Sequence, residues 1–316
     1  MAPSSNSRST LSRLDLRCPP LPQTLVEAAR LLDRPTAPSV QTVTDLVQRD
    51  PSAVARLLHV VNSAYYGLRH EVSSTERAVV MLGPTAVAGL ITGMGLAKVQ
   101  QVLAGPAART YRRLIEHSVA TAFIARHLSV GPPRLHEAPH RRRTATIDMA
   151  FTCGLLHDFG KIILVYTFPR EASALYEGRS TQLPFTDAPP CEMEQLLFGC
   201  DHTEAGEYVA RKLRLPQVIT QVIRSHHEPD VLDRAAQDPV LALVLASNAA
   251  AKAFGFATEP HTLSWSACTR LPVWKHVVRS SPLSSASEML DDLHDQAEHL
   301  QAYVQQLTRP VDTGDA

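Results

Sequence analysis

The chain has no excess of either charge: lysine plus arginine and aspartate plus glutamate each total 31 of its 316 residues, a formal net charge of zero. No bulk field draws it to nucleic acid or to an anionic membrane, so a polyanion partner would need a local patch. The five cysteines, Cys18, Cys153, Cys191, Cys200 and Cys268, are odd in number and include no CxxC. That argues against a disulfide framework or a thiolate zinc site and suits a reducing cytoplasm. The opening MAPSSNSRST lacks the apolar stretch of a signal peptide, and no uninterrupted apolar run approaches the roughly 18 residues of a membrane span, so no membrane partner is expected. Glycine-rich phosphate loops, a dinucleotide fingerprint and a GxSxG element are missing, as are internal repeats.

What is present is helical periodicity. Apolar residues make up 44% of the chain, enough for a sizeable core, and they recur at helical spacing while strand-type alternation is scarce. Asp50-Pro51 opens a helix with Val54, Leu57, Leu58 and Val61 on one face, and Ser73 with Glu76 has the spacing of a capping box for the next. Val87, Leu90, Ile91 and Met94 share a third stripe. Residues 15 to 105 thus read as a lobe of short helices without a cluster of metal-binding side chains. From about 110 to 255 a second helical lobe places polar residues at the ends of its apolar stripes. Pro-containing loops interrupt it at Gly131 to Thr146 and Gly178 to Pro190. Residues 256 to 316 form an extension with an amphipathic helix over about 285 to 308, where Leu290, Leu293, Ala297, Leu300, Val304 and Leu307 alternate steps of three and four. That is the seam of a coiled coil, which would make a homodimer, or else the face of a helix packed on its own chain.

The segment GLLHDFGKIIL, Gly154 to Leu164, sets His157 and Asp158 side by side between two apolar runs. Burying both without partners would cost several kcal/mol, so they are either hydrogen-bonded or hold something. His117, His202, His226, His227 and Asn248 lie on or beside the inner stripes of other helices. Imidazole nitrogen and carboxylate oxygen suit iron, manganese or zinc, and helices meeting around a cavity can present such ligands from several directions. Alternatively Asp158 accepts a hydrogen bond from His117 or His157, Lys161 is a solvated helix residue, and His226-His227 caps a helix C-terminus. Adjacent helical residues diverge by about 100 degrees, so both histidines could face one site only where the helix ends. Arg141-Arg142-Arg143 after His140 is a lone basic triplet that gives little ground for nucleic-acid binding. Asn62 and the Tyr65-Tyr66 pair could line a groove, and Trp265 and Trp274 suit packing as well as partner contact.

GLLHDFGKIIL followed by FGCDHTEAGEYVARKLRLPQVITQVIRSHHEP closely resembles the HDOD domain, the HD-related output domain of bacterial signalling proteins. Upstream, CPPLPQTLVEAARLL, QRDPSAVARLLHVVNSAYYG and AVVMLGPTAVAGLI look like the amino-terminal half of the same family, so the resemblance covers roughly residues 15 to 235. It implies an all-α, two-lobed fold related to the HD and HD-GYP phosphohydrolases, in a family generally regarded as regulatory. Carried across, the HD metal set falls on His117, His157 and Asp158, with Asn248 where a closing Asp is expected; the added HD-GYP histidines fall on His202, His226 and His227. Three departures weaken a two-metal site: the neutral Asn248, Arg113 where HD-GYP enzymes carry a ligating Glu, and the absence of a Gly-Tyr-Pro element. The resemblance implies a non-catalytic scaffold or ligand-sensing module that contacts signalling proteins, with a divalent metal or a nucleotide as candidate ligands. The alternative is metal-dependent hydrolysis of a nucleotide or cyclic dinucleotide, in which Lys161 would neutralise charge on a phosphoryl oxygen.

Overall fold

Helix follows helix along the chain, and no strand occurs among the described residues. The computed structural model describes residues 16–308 except 21, 32–37, 63–69, 131–144, 179–188, 229, 260–262 and 279–284. Tyr65, Tyr66, His140 and Arg141 to Arg143 lie outside the described residues. The first helices are α1 (Gln23–Leu31), α2 (Val40–Gln48), α3 (Pro51–Val61), α4 (Thr75–Leu82) and α5 (Pro84–Val99). Then come α6 (Gly105–Val130), α7 (Ala145–Leu156), α8 (Phe159–Thr167), α9 (Pro169–Tyr176), α10 (Pro190–Phe198), α11 (His202–Lys212) and α12 (Gln217–Ser225). The short α13 (Val231–Ala235) leads into α14 (Pro239–Ala253), and α15 (Trp265–Cys268), α16 (Trp274–Val277), α17 (Ala286–Asp295) and α18 (Ala297–Thr308) are the last among the described residues.

Local chemistry sets many of the boundaries. Asp50 and Asp238 cap α3 and α14 with a proline in the first turn behind them, and Asp201 with Glu204 forms a complete capping box on α11. At α4 the cap is Ser74, whose hydroxyl accepts from the Arg77 amide, rather than Ser73 as the spacing suggests. Gly83 then takes a φ of 88°, and the chain bends by 108° between α4 and α5. Pro216 stands just before α12 as its N-cap, one position outside the first turn.

The apolar core runs without a break from Leu25 to Val304. Its axis is α6, which packs on α7, α14, α9, α8 and both terminal helices. The apolar stretch Met149–Thr167 has the length and hydropathy of a membrane span, but 89% of it is buried inside the bundle, and a turn at His157-Asp158 divides it into α7 and α8. Most of the described terminal stripe is buried within its own chain, with Ala297 half-buried. Leu290, Leu293, Leu300 and Val304 are buried as α17 and α18 lie against α6, and the Tyr303 ring meets Phe123 edge-on at 3.9 Å. The stripe also belongs to two helices, separated at Gln296, instead of one. A buried pair, His127 Nε2 to Asp292 Oδ2 at 2.6 Å, ties α17 to α6.

Candidate metal centre

Two glycines bring the site together. Gly160 in the first turn of α8 lies so close to α11 that a Cβ there would come within 1.7 Å of the His202 carbonyl oxygen, and Gly206 faces it across the crossing. This backbone contact sets the start of α11 beside the α7–α8 turn, and so His202 beside Asp158. His117 comes from the middle of α6, His157 and Asp158 from the turn, and His226 from the C-cap of α12. Because α12 ends at Ser225, the adjacent His227 also reaches the site from outside the helix.

The four inner imidazoles are oriented alike. Nδ1 of His117 donates to the Phe256 carbonyl (2.8 Å), that of His157 to the Gly154 carbonyl (2.8 Å), and that of His226 to the Ile223 carbonyl (2.9 Å). Nδ1 of His202 instead faces the Glu194 carboxylate at 2.6 Å. Fixing Nδ1 as the donor turns Nε2 inward, the tautomer a metal-ligating histidine uses. The inward nitrogens divide between the two oxygens of Asp158. His117 and His157 lie 3.7 and 3.5 Å from Oδ2, whereas His202 and His226 lie 3.4 and 3.3 Å from Oδ1. Neither oxygen has a well-directed hydrogen bond, although Asp158 is buried. A carboxylate and four inward imidazole nitrogens, all desolvated, form a donor set that fits a divalent cation.

Electrostatics follows from burial. Desolvation drives His117 down to about 4, against the pull of Asp158, and lowers His157 and His226 as well. Burial also acts to lower His202, but Glu194 outweighs it and lifts the imidazole to about 10. For Asp158, burial acts upward, yet Lys161 and the surrounding imidazoles hold it well below the usual carboxylate range. Lys161 is fully buried, its Nζ 2.9 Å from Asp158 Oδ2 and paired with Glu259, which in turn lies 3.3 Å from Lys252. It is no solvated helix residue.

The structure thus brings together His117, His157, Asp158, Lys161, His202, His226 and His227. Of these His227 alone is exposed. Asn248 lies on α14, which packs on both α6 and α7, with its Oδ1 buried and unpartnered. Arg113 points to the Ala257 carbonyl at 3.0 Å. Sequence reasoning missed Glu194, Glu259 and the Phe256 carbonyl. Glu194 is fully buried, accepts from Tyr176 and the His202 amide, and sits on α10 near Cys191, whose Sγ is 4.0 Å from His202 Nδ1. An acid eight residues before the His202 of a capping box was its only signal. Glu259 had none, because it follows the last long bundle helix in a segment without a motif.

An all-helical bundle organised around a His-Asp turn defines an HD-related protein. The sequence profile of the HDOD domain matches residues 18–229, and the chain belongs to that family. An HDOD domain protein of unknown function from Geobacter sulfurreducens superposes with a TM-score of 0.73 at 23% identity, covering 95% of this chain and 96% of that one. A Shewanella amazonensis SB2B protein provisionally named a phosphohydrolase gives 0.61 at 18%, covering 96% and 98%. One from Marinobacter aquaeolei VT8, provisionally named a signal transduction protein, gives 0.59 at 20%, covering 96% and 65%. At these identities the likeness concerns the fold. An uncharacterized protein of Treponema pallidum (strain Nichols) is 25% identical over 209 residues, 66% of this chain, and the chain spans only 37% of that relative's length.

Proposed function

We propose that this HDOD protein is a cytoplasmic regulatory module whose HD-like centre holds a divalent metal as part of a scaffold, and whose surface engages signalling proteins. The observation that carries the non-catalytic reading is the state of Lys161. This ammonium is the group suited to meet a phosphoryl oxygen, yet it is fully buried and committed to Asp158 and Glu259. A cavity of about 520 Å³ lies elsewhere, between residues 102–107 and α9. A bound metal would supply charge that locks α7, α8, α11 and α12 together and to α6, since its candidate ligands come from the ends of those four helices and, for His117, from the middle of α6. The chain's own residues orient the ligands through Glu194 and the three carbonyls.

The exposed His227 beside the buried set supports a second reading, metal-dependent phosphohydrolysis, because it offers a wet edge to the centre. The test is turnover by the Zn²⁺- or Mn²⁺-loaded chain of a panel of nucleotides, cyclic dinucleotides and an aryl phosphodiester. No release above an Asp158→Ala control is expected. Hydrolysis abolished by Asp158→Ala would overturn the scaffold reading in favour of the enzyme.

A further inference from the structure

The two halves of the centre are unequal. On the Oδ1 side, His202 Nε2, His226 Nε2 and Asp158 Oδ1 make a triangle with sides of 3.3, 3.4 and 3.3 Å. Metal bonds of about 2.0–2.1 Å at tetrahedral angles require ligand–ligand edges of about 3.3–3.4 Å, so this face is already spaced for a four-coordinate ion. The exposed His227 closes the same group, with ligand atoms of all four residues within 4.8 Å of one another. Behind His202 stands the Glu194 carboxylate, the arrangement that makes an imidazole a stronger ligand. On the Oδ2 side, His117 and His157 are 3.3 Å apart but 3.7 and 3.5 Å from the carboxylate, and both rings are backed by neutral carbonyls. Lys161 Nζ is 2.9 Å from that same Oδ2. Asn248 occupies the closing position that the HD resemblance gives to a carboxylate, and it brings no charge.

We infer that the centre takes one divalent metal of borderline softness, held by His202, His226 and Asp158 Oδ1 with His227 or water as fourth ligand, while Lys161 supplies the positive charge on the Oδ2 side. The HD doublet then contributes one oxygen to the metal and uses the other to bind an ammonium. The Lys161 charge repels a second ion over a few ångströms of desolvated space, and Glu259 holds that ammonium in place.

This inference rests on the metal-holding reading above, and zinc stoichiometry separates the two. Tag-free chain is incubated with Zn²⁺, freed of unbound ion and subjected to elemental analysis, with circular dichroism as the check on folding. One equivalent is expected in the unaltered chain, retained in His117→Gln, lost in His226→Gln, and rising toward two in Lys161→Met, where Asp158 Oδ2 is left without its ammonium and Glu259 keeps only that of Lys252. Two equivalents in the unaltered chain, loss in His117→Gln with retention in His226→Gln, or one equivalent in a folded Lys161→Met would each overturn it. No zinc at all would remove the metal-holding reading itself. A readout that needs no variant is the visible spectrum of the Co²⁺-loaded chain. Intense bands of a four-coordinate ion are expected, and only the weak bands of a six-coordinate ion would contradict the geometry.

Discussion

The helices before residue 104 and those after it bury very different polar groups. Up to α5 the buried polar side chains among the described residues are hydroxyls alone, Thr44, Thr75, Thr85 and Thr92. Beyond it the core takes in His117, His127, His157, Asp158, Lys161, Glu194, His202 and His226. Hydroxyls can be satisfied within a helix, as Thr92 is by the Ala88 carbonyl at 2.9 Å. Buried charges must find partners on other helices, which makes their positions interdependent. One region is therefore held by apolar packing and the other by packing plus a charged network, and substitutions should separate them.

The sharpest break is expected from Gly160→Ala. Its Cβ would meet backbone atoms of α11, which cannot rotate away, so a loss of about 3 kcal/mol or more is expected in urea unfolding, with loss of bound zinc. Stability near that of the unaltered chain would mean that α8 and α11 can separate freely. Glu194→Ala should cost nearly as much, about 3 kcal/mol, because Tyr176 and two His202 donors lose their acceptor; Glu194→Gln should recover part of that loss.

The metal-free chain should also have a stability maximum close to pH 6.5. His202 is raised from 6.5 to about 10, so its contribution is complete below the unfolded value and fades as pH climbs toward 10. His117 is lowered to about 4, so its contribution is complete above 6.5 and fades as pH falls toward 4. Thermal melts across that range should fall by several degrees on both sides, and a flat profile would argue against the buried network. The smallest effect belongs to the first region. Asn62 joins both the amide and the carbonyl of Val72, at 2.7 and 2.8 Å, so Asn62→Ala should cost about 1–2 kcal/mol while leaving zinc content unchanged. A change in zinc content would show that the two regions are coupled.

The sequence displays most of the fold, because caps and stripes are local features. Asp50-Pro51, Asp238-Pro239 and the Asp201–Glu204 box mark real helix starts. The inner histidines and Asp158 were legible because each interrupts an apolar stripe. Their supports were not: a carbonyl such as that of Phe256 carries no side-chain signature, and Glu259 becomes meaningful only when folding places it on Lys161. The terminal heptads were ambiguous for a similar reason. Periodicity reports that a face is apolar but is silent on what covers it, and here the cover is α6.

That His117 leans on Phe256, and Lys161 on Glu259, also bears on where the protein can be cut. Both supports lie past residue 229, where the recognised domain stops. A graft or fusion trimmed at that border would carry the His-Asp doublet with one imidazole untethered and one buried ammonium short of a carboxylate. The transplantable piece must reach at least through Glu259, and the border drawn by sequence similarity is shorter than the one drawn by its hydrogen bonds.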